Sequence, residues 1–300
     1  MGQPRQREAY DWFTAELANL RTAFRWAADH GDLDVAAPIA TSAGFFGVLV
    51  ENYEPITWAE ELIDPARAVD HPRLATLYVM ASQCFISGRP EAAVGYSDVG
   101  KMVIGNDGDE VPYGFRGLLG CAYQFIGQPE RSVEWFRAQL ARGRDTHTVT
   151  GAALVQTLVI AGCADDAMTA ATGLIDAAEA TRNPFVLSFA LLEYGFALRD
   201  ADPDRAREAL RRGLVIAQDS GNRDMETHPA ACLARLEAEH GDPLAALEYS
   251  AVAIGNYHDA GNTVNMRAAL AALAACLDRL GCYEPAATIA GFAFDPLTAA

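Results

Sequence analysis

Between Glu8 and Asp29 apolar and polar residues interchange with the three-to-four-residue period of an amphipathic helix. Beyond it, apolar stretches are broken by a turn that recurs: Gly88-Arg-Pro-Glu-Ala-Ala93, Gly127-Gln-Pro-Glu-Arg-Ser132, Gly162-Cys-Ala-Asp-Asp-Ala167 and Gly241-Asp-Pro-Leu-Ala-Ala246. Two variants extend the series. In Ala201-Asp-Pro-Asp-Arg-Ala206 an Ala replaces the Gly, and in Gly281-Cys-Tyr-Glu-Pro-Ala286 the Pro is displaced by two positions. The small residues that close these turns, Ala93, Ser132, Ala167, Ala206, Ala246 and Ala286, are 39, 35, 39, 40 and 40 residues apart.

Each part of the turn has a physical reason. Gly tolerates the left-handed conformation that ends one helix, and Pro or Asp favours the first turn of the next. A small residue one turn into the second helix lets the two axes approach closely. The facing half of that crossing is a large residue followed by a small one: Met80-Ala81, Leu119-Gly120, Leu233-Ala234 and Leu273-Ala274. Leu154-Val155 fits less well, and at Glu193-Tyr194 the pattern breaks, so the fourth full unit reads as shifted by one residue. The second helices end alike, at Asp219-Ser-Gly-Asn222 and Asp259-Ala-Gly-Asn262, with Asn183 falling 39 residues before Asn222. Gly and Asn there read as helix stops.

The pattern predicts helix pairs at about 73–104, 112–142, 149–180, 185–219, 227–259 and 264–293. A weaker pair over 35–70 turns at Asn52-Tyr-Glu-Pro55, and segments 105–108 and 142–145 read as loops. The expected fold is all-α, a right-handed α-solenoid of about seven helix hairpins. Residues 1–34 would lead into it and 35–300 would form one continuous array.

Composition supports this picture. Of 300 residues 57 are Ala, the strongest helix former, and 51% are apolar against 21% charged, enough for a large core. With 40 acidic and 23 basic residues the formal charge is −17, which opposes binding to nucleic acid phosphates or anionic lipid. The only lysine is Lys101. Six cysteines without any CxxC pair read as small hydrophobes in a reducing cytoplasm. No apolar leader opens the sequence, and Gln6 stands where a myristoylation signal needs Ser or Thr. The uncharged stretches 35–50 and 146–164 carry too many Gly, Pro, Thr or polar residues for a hydrocarbon-facing helix and read as helices buried between others.

Leu119, Gly120, Tyr123, Gly127 and Phe136, with Ser132 at the small position, resemble the signature of tetratricopeptide repeats. The period near 40 is similar to that of the helical-repeat arms of large ATP-dependent LuxR-type regulators, the STAND class. The segment from Glu16 to Ala27, with Gly31-Asp32, resembles the stretch that follows the ATPase module in those regulators and in actinobacterial adenylyl cyclase fusions. The sequence contains no GxxxxGK[ST] phosphate loop, cyclase domain or basic helix-turn-helix. The resemblance therefore implies the sensor or scaffold arm, without the activities of those relatives.

Candidate chemistry is sparse. The six histidines are scattered, none forms HExxH and no cluster has metal-ligand spacing, so neither metal nor cofactor is expected. Gly95-Tyr-Ser-Asp-Val-Gly100 lies within a predicted helix and reads as a helix face rather than a nucleophile elbow. Glycines 114, 117 and 120 read as close helix packing, and Arg205, Arg207, Arg211 and Arg212 as a solvated face paired with nearby acids. The natural functional surface is the concave side, lined by the first helix of each pair. Tyr78, Gln83, Arg116, Tyr123, Gln124, Gln156, Glu193 and Tyr194 on those helices are the candidate contacts. The leading expectation is a non-enzymatic cytoplasmic arm that binds a protein or peptide in signalling or transcription control, through a basic or apolar segment. A small-ligand sensor is the second reading, and catalysis, either intrinsic or in a cyclase or ATPase portion of a longer product, is the third.

Overall fold

The computed structural model describes residues 5–104, 112–143 and 148–293. The expected loop at 105–108, and residues 144 and 145 of the other, lie outside them. The described chain contains helices and no strand. It opens with α1 (Gln6–Asp29), α2 (Leu33–Leu49), α3 (Glu54–Ala68) and α4 (Leu74–Ala81), which tightens into a 3₁₀ segment over Ser82–Ser87. Next come α5 (Pro90–Ile104), a 3₁₀ segment over Pro112–Ile126, α6 (Pro129–Ala141), α7 (Val149–Ile160), α8 (Ala164–Ala171) and α9 (Leu174–Ala180). The final elements are α10 (Pro184–Leu198), α11 (Pro203–Ser220), α12 (Arg223–His240), α13 (Pro243–Ala260), α14 (Thr263–Arg279) and α15 (Tyr283–Ala293). After α1 these form seven successive pairs, and neighbours in the chain are neighbours in space, as in an α-solenoid.

The recurring small residues sit where the crossings are tightest. Ala93, Ser132, Ala167, Ala206 and Ala246 are fully buried. The Ser132 hydroxyl donates to the Gly120 carbonyl at 2.6 Å, joining the two halves of one crossing. A Cβ added to Gly120 would lie 2.6 Å from the Phe136 ring. In the fourth full unit the small partner is Gly195, whose added Cβ would meet Leu210 at 2.7 Å and the Ala206 carbonyl at 3.1 Å. This is the one-residue shift expected from Glu193-Tyr194.

The expected left-handed glycine is present in the turn at Gly127 (φ +70°). Gly241 departs from it, with φ −131° and ψ −143°. There the Glu237 carboxylate folds over the turn and accepts the Asp242 N–H at 3.1 Å, and an added Cβ would collide with it. The span 149–180 also differs, because its second helix breaks at Thr172 (extended) and Gly173 (φ +74°) into α8 and α9.

The sequence pattern places Asn183, Asn222 and Asn262 at helix stops. They start the next ones. Each side-chain oxygen caps the following helix, accepting the N–H of Phe185 (3.1 Å), Met225 (2.9 Å) and Asn265 (3.1 Å). The residue before Asn222 and Asn262 is the left-handed stop, Gly221 or Gly261. The same three amides reach across to the N-terminal part of the chain. Asn183 accepts from Gln6 at 2.6 Å, Asn222 donates to the Tyr10 hydroxyl at 3.3 Å and Asn262 donates to the Tyr53 hydroxyl at 3.5 Å. Accordingly α1 packs on α11, α2 on α12 and the 3₁₀ segment at 82–87 on α14, so the array curls until its early elements meet its late ones.

The largest core cluster lies in the first hairpins, where Phe24 stacks on Trp58 at 4.9 Å between ring centres. The arginines of α11 pair more widely than their spacing predicts. Arg207 meets Asp204 (2.6 Å), but Arg207 and Arg211 also converge on Glu237 of α12, and Arg212 reaches Glu179 of α9. No described helix is long and apolar enough to cross a membrane.

Candidate functional site

Because the first helices face inward and the array curls, they enclose a cavity of about 420 Å³. Its wall draws on α1 (Tyr10), α2 (Phe45, Leu49), the 3₁₀ segments (Phe85, Phe115, Phe125), α7 (Ala153), α10 (Phe185, Phe189, Leu192) and the start of α12 (Met225). Most of the lining is aliphatic or aromatic, with polar groups at a few points.

Four of the eight sequence-predicted contact residues line it: Gln83, Gln124, Gln156 and Glu193. They come from four consecutive first helices, a consequence of the repeat. Gln83 donates to the Val79 carbonyl (3.2 Å) and Ser82 Oγ (2.9 Å), and Gln124 Nε2 donates to Gln156 Oε1 at 3.5 Å. Gln124 Oε1 is buried without a hydrogen bond among the described residues. Glu193 is fully buried in α10, and neither carboxylate oxygen has a partner among the described residues. Burial lifts its pKa well above the usual carboxylate range, which favours the protonated form.

The other four lie elsewhere. Tyr78 is buried in the main core and its hydroxyl accepts from Arg67. Arg116 is buried, and its carbonyl accepts from Trp135 Nε1 at 3.2 Å. Tyr123 faces a separate cleft between α5 and α6, where its hydroxyl donates to Asp98 (2.6 Å) and the Lys101 ammonium lies 3.9 Å from its ring centre. Burial brings Lys101 down to about 8. The Tyr194 hydroxyl accepts from Arg205 at 2.5 Å. The glycine reading of packing fits Gly117 and Gly120, whose added Cβ atoms would press on Thr150 and Phe136.

Sequence reasoning missed the far end of the cavity. Asp224, His228 and Asn265 line it there, with Glu51 just behind. His228 Nδ1 is 3.4 Å from Asp224, and Glu51, in the left-handed backbone region (φ +56°), is 3.3 Å from Arg223 Nε. Burial first, and Asp224 second, push Glu51 up to about 7. The ligand atoms of Glu51, Asp224 and His228 lie within 4.8 Å of one another, a spacing that could converge on a cation. Arg223 already supplies positive charge to that cluster. The only sequence signal for this end was the 39- and 40-residue recurrence of Asn183, Asn222 and Asn262, since Glu51 and Asp224 are far apart in the chain.

No family model matches the chain, and no curated protein matches it by sequence. Among solved structures, it is similar to a Rap protein complexed with competence and sporulation factor, at a TM-score of 0.57 and 10% identity. The match covers 95% of this chain and 97% of the other. This likeness and the helical pairs above establish a tetratricopeptide-like helical-repeat fold.

Proposed function

We propose that this chain is a sensing arm whose curled array receives a compact apolar ligand, a small molecule or a short peptide, in the cavity between its first helices. The observation that carries this reading is the cavity. Its 420 Å³ lies within the roughly 300–1,000 Å³ of small-ligand sites, with apolar walls and few polar groups to orient a guest. That size favours a compact guest, a small molecule or a short peptide, over a folded protein. The bound factor of the structurally similar Rap protein supports the idea that such an array can take up a ligand.

A ligand that bridges the early and late elements would stabilise the curled form, which gives a non-enzymatic arm a way to report occupancy. The regulatory setting follows from the segment Glu16 to Ala27 and its resemblance to the stretch behind the ATPase module of STAND-class regulators and cyclase fusions. In that setting the arm works in the cytoplasm, on signalling or transcription control.

The test uses Nile red, a neutral apolar dye that brightens in dry cavities. Saturable fluorescence enhancement is expected with the wild type. Ala153→Trp, which fills the cavity from α7, should weaken it at least about tenfold while the helical circular dichroism is kept. Absence of saturable binding, or binding indifferent to Ala153→Trp, would overturn the reading.

A further inference from the structure

The cavity has a sign. Among its described lining residues there is no lysine or arginine, while Glu193 and Asp224 both contribute carboxyls. Asp224 has His228 beside it at 3.4 Å, whereas the Glu193 carboxyl oxygens have no hydrogen-bond partner among the described residues. A fully buried acid without a partner is expensive in free energy, and nothing among the described residues offsets it. Gln124 Oε1, which also lines the cavity, is likewise an acceptor without a donor among the described residues. The unmet need of these two lining groups is therefore for donors.

On the reading that the cavity takes a ligand, we infer that the ligand is an amphipathic cation, an apolar body with one basic nitrogen seated on the Glu193 carboxylate. A guest that accepts from a neutral Glu193 does not meet the remaining need: a carbonyl has no hydrogen to donate and a hydroxyl has one, so the second carboxyl oxygen or Gln124 Oε1 stays unmatched. An ammonium brings several N–H donors and a charge that satisfies both carboxylate oxygens. An anionic guest would meet two acids, no Lys or Arg among the described lining residues and a chain of net charge −17.

The proton balance follows from burial, which favours the protonated form of Glu193 in the free cavity. Binding an ammonium ionises it. The carboxylic acid plus the alkylammonium give a carboxylate–alkylammonium pair, and one proton leaves for the solvent. The other titratable groups that feel Glu193 are the thiols of Cys121, from the 3₁₀ segment, and Cys232, from α12. Burial pushes both to about 12, so they stay protonated. Asp224 and His228 share the cavity and are controlled for by the variant below.

The experiment displaces Nile red from the full chain at neutral pH with octylamine, octanol or octanoate, and measures proton release by calorimetry in buffers of different ionisation enthalpy. Octylamine is expected to bind about tenfold or more tightly than octanol, with octanoate weakest, because only the amine can ion-pair in a low-dielectric site. About one proton should be released per octylamine and none per octanol. Glu193→Gln should bring the amine down to the level of the alcohol and abolish proton release. If octanol and octylamine bind equally, if octanoate binds best, or if the amine preference survives Glu193→Gln, the inference is overturned while the cavity reading stands. If Nile red does not bind the wild type, the cavity reading itself fails. The wild-type comparison of amine, alcohol and acid remains decisive even should Glu193→Gln fold poorly.

Discussion

The side-chain amide of Asn222 donates to the hydroxyl of Tyr10 at 3.3 Å, 212 residues away in sequence. Both groups are buried, and burial lifts the Tyr10 phenol to about 12. Gln6–Asn183 and Tyr53–Asn262 repeat the relationship one unit to either side, so three equivalent caps hold the N-terminal elements and shape the cavity between them.

Tyr10→Phe is expected to lose about 1 kcal/mol, the net worth of one buried hydrogen bond plus the donor left without a partner. Asn222→Ala removes the α12 cap as well, for about 1–2 kcal/mol or more. Urea unfolding of the single and double variants checks this. The double variant should lose less than the sum, and strict additivity would mean that the two residues do not act together.

The crossings give opposite expectations for two glycines. Gly120→Ala presses a Cβ on Phe136 and Trp135 and should destabilise by about 1–3 kcal/mol. Gly95→Ala, on an exposed face of α5 with open space around it, should stabilise by about 0.5–1 kcal/mol. Thermal unfolding midpoints shifting in opposite directions confirm the packing assignment.

Ala246, fully buried between Ala238 and Cys276, tests the repeat directly. Ala246→Leu should lose about 1–3 kcal/mol by overpacking. Ala251→Leu, on the exposed side of the same helix, should be nearly neutral. Equal tolerance at both positions in denaturant melts would contradict the close crossing.

Glu51 predicts a falling stability as pH rises. Its folded pKa, about 7, is raised above the ordinary 4.5 by burial and then by Asp224. Below the ordinary value both states are protonated and nothing is lost. Between about 4.5 and 7 the unfolded chain ionises while the folded one resists, so stability declines through that window and levels off above it. The loss from this group is on the order of 3 kcal/mol at most. Glu51→Gln should flatten this part of the profile, measured as unfolding free energy against pH.

By itself the sequence determined the helices, their pairing and the inward face, because periodic apolar residues, turn glycines and small crossing residues act through neighbours in the chain. It therefore also placed Gln83, Gln124, Gln156 and Glu193 on first helices that share a cavity wall. It could not separate them from Tyr78, Arg116, Tyr123 and Tyr194 on the same elements, since side-chain direction within a helix depends on which neighbours press against it. Only the tertiary structure decided that the array curls far enough for Tyr10 and Tyr53 to reach Asn222 and Asn262, and for Glu51 to meet Asp224 and His228. Curvature is the sum of small rotations at every crossing, set by packing details such as Gly120 against Phe136 and Gly195 against Leu210, and no single residue encodes it.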